Sequence, residues 1–312
     1  MAAKSKNTRF RAYQLGNAGS SFSYFNGAEF TLIEARYNEV NSVSIKNEMK
    51  LCGISKITTL HITSWDQDHC VPSQLEKIID ELKPAKIEYP GYKPHTTSGC
   101  DSLKIIQKFK KIKVAVQITP KYISSLNSFK NYGYKDVLLH PKFLSEDSAN
   151  DNSTVKLFRS GSFNVLSLGD VESAQISSGF KSYNSIRKEI DIMILAHHGA
   201  DNGFTSSSFL KAVRPQVAIA SADYANKFKH PKQEIRDLLH KNEIKLFTTK
   251  TGDVVISSIG SHSGKYEVTN LMTGNTKISS SYKFTAKKMK YLNVNEDTLR
   301  ARLNKGVRGP KC

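Results

Sequence analysis

The segment Thr63-Ser64-Trp65-Asp66-Gln67-Asp68-His69 constrains this chain more than any other stretch. It follows residues 57–62, an apolar and β-branched run that reads as a buried strand. Asp66, Asp68 and His69 are all able to ligate a metal, and they fall within four positions on the loop after that run. A tight loop anchored by a rigid strand can make such side chains converge on one point. Farther on, residues 166–170 and 192–199 repeat the pattern: an apolar strand followed by Asp170, then one followed by His197 and His198. Three strands that each end in carboxylates or imidazoles predict a metal centre at one edge of a pair of sheets.

Composition narrows the setting. A chain of 312 residues buries one large core or two modest ones. No apolar run approaches the roughly 18 residues that suggest a membrane span. Residues 1–11 carry Lys4, Lys6, Arg9 and Arg11 with no apolar stretch behind them, which is not the pattern of a secretory signal. Cys52, Cys70, Cys100 and Cys312 are too widely spaced for a disulfide framework or a paired-cysteine zinc site. A reducing, cytoplasmic setting is the expectation, with Cys70 a small buried residue. The net charge of +18 predicts a polyanionic partner, nucleic acid ahead of anionic membrane. The charge is concentrated at the end, where residues 283–311 hold nine Lys and Arg against Glu296 and Asp297. Lys283, Lys287, Lys288, Lys290, Arg300 and Arg302 are the expected phosphate contacts. A protein partner is left open, as is the oligomeric state.

Strand and helix alternate along most of the chain. Strands are predicted at 30–35, 57–62, 87–89, 114–118, 137–140, 154–158, 164–168, 192–196, 217–221, 244–248 and 254–257. Helices are predicted at 39–52, 73–82, 103–110, 209–213 and 233–241, with Ser73 a candidate N-cap three residues before Glu76. Residues 145–153 read as a polar loop. Such alternation, with a hairpin candidate at 154–168, favours a mixed α/β sandwich over a barrel.

In order and spacing, these residues resemble the metallo-β-lactamase fold, in the subgroup related to the hydrolase domain of the DNA-uptake protein ComEC. The resemblance covers about residues 12–258. It is carried by the glycine-rich turn Leu15-Gly16-Asn17-Ala18-Gly19-Ser20-Ser21, by Ser64 to His69, by Asp151-Asn152-Ser153 and by Gly169-Asp170. It continues through His197-His198-Gly199-Ala200, His230-Pro231 and the turn from Thr248 to Gly252. It implies an α/β fold, an αββα sandwich with a short basic C-terminal extension: a hydrolase domain over 1–265 and the extension over 266–312. Three positions depart from the family pattern: Ser64 replaces the motif's first His, Glu34 replaces an Asp after an early strand, and Ala200 replaces a Ser.

By the same resemblance, Asp68, His69, Asp170 and one His of the pair His197 and His198 hold one divalent ion. A second ion would use Asp66, the bridging Asp170 and the His that Ser64 replaces. One or two ions, Mn²⁺ or Zn²⁺, are therefore expected, the carboxylate-rich set tilting towards Mn²⁺. Such an ion brings water to a nucleophilic state near neutral pH and polarises a phosphoryl oxygen. Asp68 is expected to orient the water as well as ligate, and His230 to protonate a leaving oxygen or grip the phosphate. Adjacent residues at a strand end point apart, so only one of His197 and His198 is expected to ligate. His95 and His140 lie outside the matched positions and are expected in loops, with His140 a spare ligand at most. The resulting expectation is a metal-dependent phosphodiesterase or nuclease. The alternatives are a degenerate hydrolase that binds nucleic acid or protein, and a hydrolase of a small ester or cyclic nucleotide.

Overall fold

A computed structural model describes residues 7–126, 135–260 and 264–288. Two sheets form its interior. The first has nine strands: β1 (Arg9–Ala12), β2 (Phe22–Phe25), β3 (Phe30–Ile33), β4 (Thr59–His61), β5 (Lys86–Pro90), β6 (Val114–Ile118), β13 (Val254–Ile259), β14 (Lys265–Leu271) and β15 (Ile278–Thr285). Their order is β15-β14-β13-β1-β2-β3-β4-β5-β6. The second sheet comprises β7 (Val137–His140), β8 (Val155–Phe158), β9 (Val165–Ser167), β10 (Ile192–Ile194), β11 (Val217–Ala220) and β12 (Lys245–Thr248), in the order β12-β11-β10-β9-β8-β7. Strands β3 to β6 run parallel, as do β9 to β12.

Strand alternation makes this a four-layer sandwich. Side chains along a strand point to opposite faces. Val165, Ile192, Ile194, Val217 and Ile219 therefore meet Phe10, Phe22, Tyr24 and Ile256 between the sheets. Their neighbours Leu166, Met193, Ala218 and Ala220 face outward, against α5 (Ala174–Phe180), α6 (Asn184–Glu189), α7 (Ser207–Val213) and α8 (Gln233–Lys241). On the far side, Phe30, Leu32 and Leu60 pack against α1 (Glu39–Leu51), α2 (Pro72–Lys77) with the π-helical Ile78–Leu82 that continues it, and α3 (Thr97–Lys110). A further short helix, α4 (Pro120–Leu126), follows β6. The outer cover makes these strands apolar on both faces, hence their continuous hydrophobic runs.

Several expectations need correction. Ser73 does not cap α2: the helix begins at Pro72, its N-cap position is Val71, and no side chain caps it. The polar run at 145–153 contains a 3₁₀ turn at Asn150–Asn152. Residue 265, the expected end of the hydrolase domain, is the first residue of β14. From there the sheet continues through β15 to Thr285, with Phe284 stacked on Tyr266 at 5.4 Å.

The basic tail is also reassigned in part. Lys283 is exposed on β15. Lys287 turns inward: its Nζ donates to the carbonyls of Val213 and Arg214, and its backbone N–H to Asp191 Oδ1. Lys288 Nζ donates to the Gly161 carbonyl and to Asn164 Oδ1. Burial brings its pKa down to about 8. These two lysines bind the protein's own carbonyls because the chain end folds over the edge of the sandwich, and neither is presented to a phosphate. Lys290, Arg300 and Arg302 lie outside the described residues.

Candidate metal centre

Four chain segments, each leaving the carboxyl end of a parallel strand, supply the site, the position where open α/β sheets place their ligands. The loop after β4 brings Asp68 and His69, the turn after β9 brings Asp170, the turn after β10 brings His198, and the segment after β11 brings Ser221 and His230. One ligating atom from each of Asp68, His69, Asp170 and His198 lies within 4.8 Å of the others. His69 Nε2 is 2.9 Å from Asp170 Oδ2 and 3.9 Å from Asp68 Oδ1. His198 Nε2 is 3.3 Å from Asp68 Oδ2 and 3.8 Å from Asp170 Oδ2.

The backbone around the cluster is tightly specified. Gly19 sits at φ +133°, and a Cβ there would lie 2.5 Å from the Asp68 carbonyl oxygen. Only glycine lets the turn approach closely enough for Ser20 N–H to donate to that carbonyl at 2.9 Å. His197 and His198 both have left-handed backbones, φ +46° and +57°. Strain of this kind in non-glycine residues gathers at functional sites.

Each imidazole is aimed by its second nitrogen. His198 Nδ1 lies 2.9 Å from the Ser221 carbonyl and donates its proton there, which turns Nε2 towards the carboxylates. His69 Nδ1 lies 3.2 Å from Glu34 Oε1 and 3.3 Å from Thr63 Oγ1. Glu34 is itself fixed: Oε1 accepts from Thr63 Oγ1 at 2.6 Å and Oε2 from Thr63 N–H at 3.0 Å. Glu34 is another left-handed residue, φ +71°. His69 Nε2 is buried and its polar neighbours are carboxylate oxygens, with Asp170 Oδ2 paired to it at 2.9 Å. Two buried imidazoles whose Nε2 atoms face two carboxylates make a donor set that fits a cation.

Charge coupling is strong. Burial opposes ionisation of Asp68 and Asp170, but the His69 charge, followed by His198, outweighs it and holds both carboxyls below their ordinary range. Burial likewise opposes charging of the two imidazoles. Asp170 dominates the opposite pull, helped by Glu34 at His69 and by Asp68 at both, and raises both pKa values.

Other expected site residues stand elsewhere. Asp66 is outside the four-residue group; its Oδ2 accepts from Ser64 Oγ at 3.0 Å. Ser64 Oγ is 3.1 Å from Tyr92 Oη, and Tyr92 Oη also accepts from Trp65 N–H at 3.1 Å. His197 points to Glu172, with Nδ1 3.2 Å from Oε2. His140 Nε2 lies 2.7 Å from the Asp151 carbonyl, and His95 is exposed. His230 lines a cleft of about 450 Å³ together with Asp68, His198, Asn226 and Phe228. Burial, then the charges of His198 and His197, bring its pKa down to about 4. His230 is thus neutral at pH 7: it can donate an N–H hydrogen bond but holds no spare proton for a leaving oxygen.

Glu34, Thr63, Ser221 and Tyr92 are the residues that motif reading does not assign to the site. Glu34 alone had a signal, an acid directly after a predicted strand.

No protein-family profile matches the chain. It is 25% identical over 197 residues to ComE operon protein 3 of Bacillus subtilis, covering 63% of this chain and 24% of that protein. It is 30% identical over 122 residues to the competence protein ComA of Neisseria gonorrhoeae, covering 39% and 17% of the two chains. In sequence the chain is similar to ComEC-type competence proteins. Recombination protein 2 of Haemophilus influenzae shares 31% identity over 104 residues, 33% of this chain and 13% of that one. The chain spans about a quarter or less of the length of these curated relatives. Solved structures similar to it include a metallo hydrolase of Ignicoccus hospitalis, at 14% identity and TM-score 0.45 over 79% of this chain and 98% of that one. A mutant CmlA β-hydroxylase gives 10% and 0.46, over 81% and 54%. Among the described residues, no helix is long and apolar enough to cross a membrane.

Proposed function

We propose that this chain is a metal-dependent hydrolase of nucleic-acid phosphodiesters that holds one divalent ion through Asp68, His69, Asp170 and His198. The observation that carries the reading is the convergence of ligating atoms from Asp68, His69, Asp170 and His198, all within 4.8 Å of one another, with each imidazole held by a partner at its other nitrogen. Two imidazoles and two carboxylates suit Zn²⁺ or Mn²⁺. Bound there, a divalent ion supplies Lewis acidity and acidifies water towards a nucleophile at neutral pH. The protein's own groups do the rest. Glu34 and the Ser221 carbonyl hold the imidazoles in the ligating tautomer, and Asp68, the most solvent-accessible of the four, can accept a proton from water entering the cleft. Neutral His230 can donate to a phosphate oxygen across the same cleft. Asp66 stands outside the four-residue group with its Oδ2 accepting from Ser64, which supports a single ion.

Nucleic acid is favoured as the substrate by the net charge of +18. The names of the relatives, which speak of competence and recombination, also belong to DNA. Metal content by mass spectrometry, followed by incubation of labelled DNA and RNA strands with Mn²⁺ or Zn²⁺, tests the reading. About one ion per chain and strand cleavage, both lost in Asp170→Ala, are expected. Metal binding without cleavage of any strand would point to a binding subunit, and turnover preserved in Asp170→Ala would overturn the site.

A further inference from the structure

Three rings in near-parallel planes lead from the metal centre to solvent. His198, a proposed ligand, lies 6.3 Å from His230 with an interplanar angle of 11°. His230 lies 5.7 Å from Phe228 at 22°. Phe228 is 55% exposed, an unusual state for a phenylalanine at the mouth of a cleft. The same loop exposes Tyr224 at 75%. Lys227 and Lys229 flank Phe228, and the Lys227 ammonium lies 4.9 Å from its ring centre.

The loop holds this display by its own bonds. Asn226 Oδ1 accepts from His230 N–H at 2.6 Å, while its Nδ2 donates to the carbonyls of Asp223 and His230 at 2.8 and 3.0 Å. Lys229 N–H closes the turn onto the Asn226 carbonyl. The backbone that carries the rings is therefore held in advance, which lowers the ordering cost of binding.

We propose that the loop of residues 223–230 is a base-stacking platform for single-stranded nucleic acid, with Phe228 receiving a base while an adjoining phosphate reaches the metal centre. The inference rests on the nucleic-acid reading above and narrows it. Aromatic faces interleaved with lysines are the means by which proteins hold single strands. The cleft joins the two ends, since Asp68, His198, His230 and Phe228 all line it. A duplex does not fit this role, because its base faces are already stacked within the helix. Lys227 and Lys229 would take the flanking phosphates, a task that the inward-turned Lys287 and Lys288 cannot perform.

Equilibrium binding of the full metal-loaded chain, read by fluorescence anisotropy, tests the platform. The probes are an oligothymidine, an abasic strand of equal length and charge, and a duplex, all phosphorothioate-linked so that none is consumed. Oligothymidine should bind at least about fivefold more tightly than the abasic strand, the lower end of stacking on one aromatic ring. Phe228→Ala should erase that difference and leave abasic and duplex binding unchanged, while Phe228→Trp should retain it. Equal binding of the base-bearing and abasic strands, or equal weakening of all three probes in Phe228→Ala, overturns the platform. Failure of the parent reading looks different: an unmodified strand is then bound but never cut.

Discussion

The two ends of one short loop make an instructive contrast. Ser64 and Asp66 begin it, Asp68 and His69 end it, and both pairs carry side chains with metal-binding chemistry. At the first end the polar groups satisfy one another: Ser64 donates to Asp66 Oδ2, Asp66 N–H returns a bond to Ser64 Oγ at 3.2 Å, and Tyr92 closes the group. At the second end His69 Nε2 faces Asp170 Oδ2 at 2.9 Å and Asp68 Oδ1 at 3.9 Å while its other nitrogen is held by Glu34. Buried polar groups without partners are costly. Two carboxylates buried beside two imidazoles keep their charge only against protons on the rings or a cation. The first end is held by neutral hydroxyl and amide donors; the second is held by charge. A cluster of acids and histidines in a sequence is therefore weak evidence for a metal until its hydrogen bonds have been counted.

Removing a ligand from the second end should give the largest effect. His69→Ala deletes one of the four proposed ligands, and metal affinity should fall by more than about 100-fold, beyond the range of supporting residues. Mass spectrometry after dialysis reads this directly. Metal retained at wild-type stoichiometry would break the contrast.

Glu34→Gln comes next. The amide keeps the size of the side chain but weakens the pull on His69 Nδ1 and turns one of two accepting oxygens into a donor. Metal affinity should drop by about 10- to 100-fold, the usual effect of such orienting partners, with the fold intact by circular dichroism. An unchanged affinity would mean that Thr63 alone aims the ring.

The metal-free protein should also show a distinctive pH profile. His69 and His198 have raised folded pKa values, so their contribution to stability is complete below their ordinary 6.5 and is lost as pH rises through the higher folded values. Asp68 and Asp170 have lowered values, so the same ion pairs contribute above the ordinary 3.8 and fade as pH falls through the folded values. The cluster's full contribution thus lies between 3.8 and 6.5. Above that window a cation takes over from the protons, because imidazoles ligate when neutral. The rise in Tm on adding Zn²⁺ or Mn²⁺ should therefore grow from pH 5.5 to 8 in the wild type. It should be small at every pH in His69→Ala.

Much of this was legible in the sequence. Runs buried on both faces, such as those that became β4, β10 and β11, announce themselves through continuous apolar residues. The predicted strands at 114–118 and 137–140 and the helix at 233–241 coincide with β6, β7 and α8. The first two strands were not legible. Arg11 in β1 and Ser23 in β2 interrupt the apolar pattern, and their burial depends on distant partners such as Asp253 for Arg11 and Tyr13 for Ser23. β14 and the edge strand β15 were hidden by their polar residues, Lys265, Glu267, Thr269 and Asn270 in the one and three serines and Lys283 in the other. Within the site, motif spacing pointed to Asp68, His69, Asp170 and the histidine pair. It could not reveal that His197 turns to Glu172, nor that Asp66 is engaged by Ser64, because both depend on side-chain direction.

The chain end sharpens the same lesson. Deleting residues 283–312 cuts β15, takes Phe284 off Tyr266 and removes the Lys287 and Lys288 anchors. Tm should fall by several degrees, since buried aromatic packing and multiple hydrogen bonds are lost together. Deleting only 289–312 spares every described contact, so Tm and metal content should stay near wild type. Scanning calorimetry on the two truncations separates a structural tail from a dispensable one, and equal losses in both would show that the anchoring lies beyond Lys288.

The smallest effect should come from Ser64→Ala. The hydroxyl joins Asp66 to Tyr92 and touches none of the four proposed ligands. Its loss frees Asp66 Oδ2, but Asp66 is partly exposed, so water can replace the missing donor. Stability should change by about 1 kcal/mol, the net worth of a typical hydrogen bond, and metal content should remain at one ion per chain. A rise towards two ions would mean that the hydroxyl had been holding Asp66 away from a second cation. That result would turn the quiet end of the loop into a latent half of the centre and undo the contrast between its two ends.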